Sequence, residues 1–328
     1  MRIIKIIILL SLFFSCKEKN KGQIEILEKT KIDSISSINE IRQFLKTADS
    51  SLINFSYVTP QSFAKGKRFM NKYLSEQKQK LESLFSDSTH LKEDFDKNGY
   101  TDLIITGEYY SNSFEVMVLM NYGKEKYSVI PLTLSHYNEF SIYPKLVYRN
   151  NLPVIELYSI PKAFESTENG LSIKRLVYKY GTFVDYTETV EEYQISRIEF
   201  SANACYGTCP VFELDINENT QSLFRAKYHN FSKKREIDPN KEEGAFETII
   251  KRDDFNEICE IINFLQVKNL NEYYRTGGMH QPSCTLKVHF SDGTQKTIED
   301  YGKKGTNGLH FLYEKLSDLR FNQEWNKM

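Results

Sequence analysis

Tryptophan is almost absent from this chain, with one residue in 328, although Tyr and Phe number 21 and 22. Proline and glycine are scarce too, at eight and fifteen, which excludes collagen-like repeats and Pro/Gly-rich low-complexity sequence. Neither sign of charge prevails. With 43 Lys+Arg against 44 Asp+Glu the formal net charge is −1, and the basic excess that nucleic-acid binding calls for is missing. No apolar run reaches the ~18 residues that a membrane-spanning helix needs. No internal repeat is found. The catalytic signatures G-x-S-x-G and H-E-x-x-H are lacking, and His90, His136, His229, His280, His289 and His310 share no spacing. What remains is a mixed-charge, aromatic, β-leaning chain, long enough for about two domains.

The first sixteen residues carry an address. Arg2 and Lys5 form a basic start, and a largely apolar stretch runs from Ile6 to Phe14. It is too short to span a bilayer and reads as a secretory signal peptide over residues 1–15. Ser15-Cys16 resembles the lipobox of bacterial lipoproteins, with Phe13 where Leu is usual. That resemblance implies that Cys16 is lipidated and that the membrane is a partner through the lipid. The expected location is the cell envelope, on the outer membrane of a Gram-negative bacterium. Residues 16–37 are polar and read as a tether.

Beyond the tether, Ile38, Ile41 and Leu45 keep helical spacing, and Met70, Tyr73, Leu74, Leu81 and Leu84 predict a longer helix over 61–86. The period then changes to that of strands, at 102–109, 114–121, 126–132, 143–149, 153–159, 172–179 and 183–187. This predicts a first domain, 38–190, of helices followed by an antiparallel, blade-like β-meander. A second unit, 191–328, shows strands at 195–201, 211–217 and 222–229, then a helix at 252–265. Strands at 284–290 and 294–299 follow, with a last helix from Gly308. The fold class is α+β, with a compact C-terminal α+β domain.

One loop in the first domain has metal-ligand spacing. In Asp94-Phe95-Asp96-Lys97-Asn98-Gly99-Tyr100-Thr101-Asp102, oxygen donors stand at positions 1, 3, 5 and 9 and Gly at 6. Such a run wraps one hard cation and turns sharply at Gly, which points to a structural calcium held by Asp94, Asp96, Asn98, Asp102 and the Tyr100 carbonyl. An EF-hand would put Glu at position 12, where Ile105 stands, and a strand follows instead of a helix. The plainer alternative is an Asp/Asn/Gly hairpin loop without metal.

Cys205-Tyr206-Gly207-Thr208-Cys209-Pro210 carries a family resemblance. With Val211-Phe212-Glu213-Leu214, Tyr180-Gly181-Thr182-Phe183-Val184, Asp300-Tyr301-Gly302, Gly305-Thr306 and Gly308-Leu309, it resembles the C-terminal domain of an uncharacterised family of bacterial lipoproteins. That domain, of unknown function, is built around a C-[FY]-G-T-C-P motif. The likeness spans roughly 175–325 and implies an envelope lipoprotein with an α+β domain and no assigned activity. An exported chain with four further cysteines favours disulfides, and Cys205 and Cys209 are close enough to pair across the Tyr-Gly-Thr turn. Cys259 sits on the 252–265 helix stripe as a buried thiol. Two alternatives stay open: a redox pair, and a zinc set of Cys205, Cys209, His280 and Cys284.

Gly302-x-x-Gly305-x-x-Gly308 opens the last helix and reads as a tight turn with Thr306 or Asn307 as N-cap; the sharper alternative is an anion site helped by Lys303 and Lys304. The expected function is therefore a membrane-anchored envelope lipoprotein whose aromatic-rich β surface binds an unknown envelope protein or surface ligand, with no nucleic-acid partner. The alternative is an envelope enzyme drawing on Asp300, Tyr301, Thr208 and His280.

Overall fold

The computed structural model of the protein describes residues 29–65, 75–86, 88, 90–109, 113–134, 142–160, 170–230, 243–276 and 279–328. Residues 1–28, with the leader and Cys16, lie outside that set. Six α-helices and 17 strands among the described residues make the fold mixed α+β.

Helices α1 (Lys31–Ser34) and α2 (Ile38–Ala48) come first. Ser37 caps α2 by accepting from Glu40 N, while the Glu40 carboxylate accepts from Ser37 N at 3.0 Å, a reciprocal pair encoded by S-x-x-E. Residues 31–37 of the expected tether are therefore folded. Ile32 and Ile35, one helical turn apart, are buried against Leu103 and Leu119, so a polar-looking stretch hides one apolar face.

The first sheet contains β1 (Phe55–Tyr57), β2 (Leu91–Glu93), β3 (Asp102–Tyr109), β4 (Ser113–Asn121) and β5 (Tyr127–Pro131). Its order is β1-β3-β4-β5, with β2 also paired to β3, and every pairing is antiparallel. β3 is central and covered on both faces, which is why it reads as a continuous apolar run. Leu103 and Ile105 face α1 and α2, and Ile104 faces a second sheet. That sheet is the meander β6 (Ile142–Arg149), β7 (Leu152–Ser159), β8 (Ser172–Lys179) and β9 (Thr182–Asp185). Asn150-Asn151 and Tyr180-Gly181, all at positive φ, close two-residue hairpins whose twist suits the strands. Val116, Val118 and Met120 of one sheet share a core with Ile155, Leu157, Leu176 and Phe183 of the other. The expected single meander is thus two stacked sheets. The helix expected at 61–86 is described at its ends, as α3 (Pro60–Lys65) and α4 (Ser75–Glu82); Met70, Tyr73 and Leu74 fall in 66–74, outside the described residues.

An eight-stranded sheet forms the C-terminal half, from β10 (Ile195–Asn203), β11 (Val211–Asn217), β12 (Gln221–Tyr228), β13 (Gly244–Ile249), β14 (Tyr273–Arg275), β15 (Ser283–Phe290), β16 (Gln295–Tyr301) and β17 (Asn326–Lys327). The order is β14-β16-β15-β10-β11-β12-β13-β17, parallel only between β14 and β16. Helices α5 (Arg252–Phe264) and α6 (Asn307–Asn322) cover one face. Alternation decides which side chains they bury: Cys284, Leu286, Val288 and Phe290 point inward from β15, and Phe200, Phe212 and Phe224 from β10–β12. The opposite face is ionic. Arg197 grips Asp215 through two bonds of 2.7 and 2.6 Å, Glu199 meets His289 at 2.6 Å, and Glu213 pairs with Arg225 and Lys227. The Phe rings of these strands lie under the helices and charge faces water, while Tyr228 of β12 and Tyr273 of β14 stay exposed.

The two halves are knitted together rather than linked loosely. Val177 and Val184 belong to the C-terminal core, and just past the expected boundary at 190/191 Tyr193 and Asn263 exchange two hydrogen bonds of 3.1 Å. The start of α6 docks on the N-terminal half, where Gly308 N–H donates to Asp185 Oδ2 at 2.8 Å and Asn307 Nδ2 donates to the Leu132 carbonyl at 3.1 Å.

Candidate functional site

The acidic loop joins β2 to β3. Oxygens of Asp94, Asp96 and Asp102 all lie within 4.8 Å of one another. Local bonds set this geometry. Asp94 accepts from Asn98 N and Gly99 N at 3.1 and 2.8 Å, and Asp96 accepts from Asn98 N and Nδ2 at 3.2 and 3.0 Å. Asp102 is fully buried, and its two oxygens take the Phe95 and Asn121 amides at 2.9 and 2.7 Å. Burial, against those two amide bonds and with Asp96 and Asp94 adding repulsion, pushes the Asp102 carboxyl up to about 7. Burial and neighbouring Asp94 also raise Asp96. Asn98 is beside Asp96, but its Oδ1 already accepts from Tyr100 N at 2.7 Å and its Nδ2 bonds the Asn121 carbonyl at 2.8 Å. Asn121, which sequence reasoning missed, holds this loop from β4; an Asn at a strand end gives no signal of such a role.

At the other candidate, Cys205 and Cys209 form a disulfide with Cα atoms 5.7 Å apart. A tight turn at Gly207, whose φ is +136°, lets the chain double back, a conformation favouring glycine. The bridge leaves Tyr206 86% exposed, its ring 5.2 Å from His280, next to Met279 at 82% exposed. Main-chain bonds hold this loop cluster: Tyr206 N to His280 O at 3.3 Å and Gly302 N to Pro282 O at 2.7 Å. Opening the bridge with Cys209→Ser should cost about 2 kcal/mol, the loop-closure value for so short a loop, read as a lower denaturation midpoint in urea.

Cys259 and Cys284 are free thiols. Burial pushes each up to about 12, so neither is an activated nucleophile. Cys284 turns into the core while the Cys205 and Cys209 sulfurs are bonded to each other, so the zinc set is not assembled.

Of the four residues weighed for an enzyme, Tyr301 reaches the His280 loop, its hydroxyl accepting from Gln281 N at 3.1 Å, but Asp300 turns away. Asp300 is 1% exposed and faces the helices, whereas Tyr301, next along the strand, takes the other face. Thr208 and His280 are exposed on loops. Asp300 instead shapes the glycine turn by accepting from Lys304 N and Gly305 N at 3.2 and 2.8 Å. A Cβ on Gly305 would come within 2.4 Å of Tyr274. Thr306 is the N-cap, accepting from Leu309 N at 3.0 Å. The α6 amide that an anion would use is taken by Asp185, and the half-buried Lys303 holds its Nζ 5.9 Å from the centre of the Phe200 ring.

These features define a mixed α+β protein with a disulfide-pinned loop on its C-terminal sheet. A family model described as a domain of unknown function (DUF6438) matches residues 196–320. The match runs from β10 into α6, so it takes in the disulfide loop and the glycine turn and leaves out the acidic loop. Comparison with curated proteins and with solved structures gives no match.

Proposed function

We propose that the protein is an envelope lipoprotein, anchored through Cys16 on the outer membrane of a Gram-negative bacterium, that binds a protein partner through its disulfide loop. The observation that carries the binding reading is Tyr206, an almost fully exposed ring on a covalently closed loop, flanked by exposed Met279 and His280. Tyr and Met are enriched at protein interfaces, and a pinned loop has little entropy left to lose on binding. The leader and Ser15-Cys16 support the anchor. A structural calcium at Asp94, Asp96 and Asp102, with Asn98 and the Tyr100 carbonyl completing the shell, is supported by the convergence of three carboxylates on one loop.

Crosslinking in intact envelopes tests the binding site. Wild-type protein should give a discrete adduct that Tyr206→Ala loses, while the melting temperature stays unchanged because the ring packs against so little. An adduct pattern indifferent to Tyr206→Ala would reject the loop as the binding surface. Cys16→Ser should abolish acyl labelling and release the protein from the membrane pellet.

A further inference from the structure

Strand β14 is an edge of the C-terminal sheet, paired on one side only, in parallel with β16. Thr276 N–H donates to the Tyr301 carbonyl at 2.9 Å, and Glu299 N–H donates to the Glu272 carbonyl at 2.8 Å. Glu272, Tyr274 and Thr276 therefore turn their main-chain groups towards β16. Tyr273 and Arg275 turn theirs outward, where no strand among the described residues takes them. A free edge is commonly guarded by a proline, a bulge or an inward-pointing charge. Tyr273-Tyr274-Arg275 has none of these, and Tyr273 is 72% exposed.

Charge is ordered along this edge. On the face away from the helices, Glu299 stands beside Tyr273 at one end, and Arg275 stands beside Tyr301 at the other. Both charged groups are exposed, and neither forms an ion pair among the described residues. Glu272 alternates to the opposite face. The next neighbours on the charged face, Thr285 and Thr297, are neutral, and Lys287 lies 3.9 Å from Glu199.

An incoming strand has to match that order. A second copy does so by symmetry. Laid antiparallel and centred on Tyr274, it sets each Tyr273 opposite Arg275 of the other copy, and such a pair exchanges both of its N–H···O bonds. Each guanidinium then swings from its own Tyr301 ring over the Tyr273 ring of the other copy, towards the Glu299 beside it. The two Arg275 side chains lie diagonally and not face to face. A foreign strand would meet the main-chain groups but would have to bring matching charges of its own. We propose that two copies of this chain pair through β14, antiparallel about a two-fold axis, so that their C-terminal sheets run on from one copy into the other. Three residues a side make a small contact of the weak, transient class.

Sedimentation of the full chain over a concentration series tests this. The wild-type mass should rise towards that of a dimer. Arg275→Glu sets Glu against Glu299, and Glu299→Arg sets Arg against Arg275, so each should weaken the dimer about tenfold or more. Melting temperatures should not change, since both side chains are exposed. Mixing the two variants should restore the dimer, because every contact between unlike chains then joins opposite charges. The proposal is overturned if wild type stays monomeric throughout, if the single variants associate like wild type, or if the mixture is no heavier than its components. A monomer whose Tyr273 and Arg275 amides are nevertheless protected from hydrogen exchange in intact envelopes would also overturn it, and would assign the edge to a strand of another protein.

Discussion

Asp102→Ala is expected to lower folding stability by about 2–6 kcal/mol, the cost of leaving two buried backbone N–H groups without an acceptor. The Phe95 and Asn121 amides are those donors, and the site is closed to water that could replace the carboxylate. Relief from burying the carboxylate offsets part of the loss, so Asp102→Asn, which keeps one acceptor, should cost less. Urea denaturation at pH 7 measures both. The pH dependence has a definite sign. Asp102 rises from 3.8 to about 7 on folding, so between those values the native state holds the proton more tightly than the unfolded chain. Its contribution is fully present below about 3.8 and is lost as the pH rises through about 7, and metal-free protein should lose stability across that window. Asp102→Asn should flatten that slope. Calcium binds the ionised carboxylates, so the rise in melting temperature on adding it should be larger at pH 8 than at pH 5.5, and absent in Asp102→Asn. A melting temperature indifferent to calcium at both pH values would sink the metal reading.

Gly308→Val should be the other severe change. A Cβ there would stand 2.1 Å from Cδ2 of Leu265, itself buried in the C-terminal core. Overpacking of this kind costs about 1–3 kcal/mol, and a β-branched residue adds to it because it cannot turn away. The same position donates its N–H to Asp185, so a shift of α6 to relieve the clash also breaks the docking between the halves. Leu265→Ala should be destabilising alone yet should restore part of the stability of Gly308→Val, because it empties the space the new side chain needs. Equal and additive losses in the double variant would show that the clash is not with Leu265.

The sequence carried most of the elements because their periods are strong. β11 and β15 alternate cleanly, and the α5 stripe of Phe255, Ile258 and Ile262 is buried as spaced. Short edge strands were illegible: β1, β2, β14 and β17 have three residues or fewer, too few to show a period. The division of the meander into two sheets was also hidden, since a strand covered on both faces reads alike in one sheet or in a stack. At the candidate sites the residues that come together are local in sequence. The Cys205–Cys209 pair and the Asp94–Asp102 loop are contained within nine residues or fewer, so spacing alone brought them together. What spacing could not supply were partners from afar: Asn121 behind Asp102, and Asp185 at the start of α6.

Asn121 gives the N-terminal turn a mechanical meaning. Its side chain donates to Thr30 Oγ1 and to the Thr101 carbonyl at 3.1 Å each, its N–H holds Asp102, and its carbonyl takes Asn98 Nδ2. Beside it, Thr101 Oγ1 donates to Asp33 at 2.5 Å and Lys92 Nζ to the Ile35 carbonyl at 2.7 Å. Tension applied to the chain ahead of Thr30 therefore enters the fold through three bonds loaded side by side. They end on Lys92 of β2, on Thr101 within the acidic loop and on Asn121 at the end of β4, whose amide and carbonyl hold that loop. The load reaches the carboxylates before it reaches either sheet core, so the force at which the first turn peels away depends on how firmly that loop is closed.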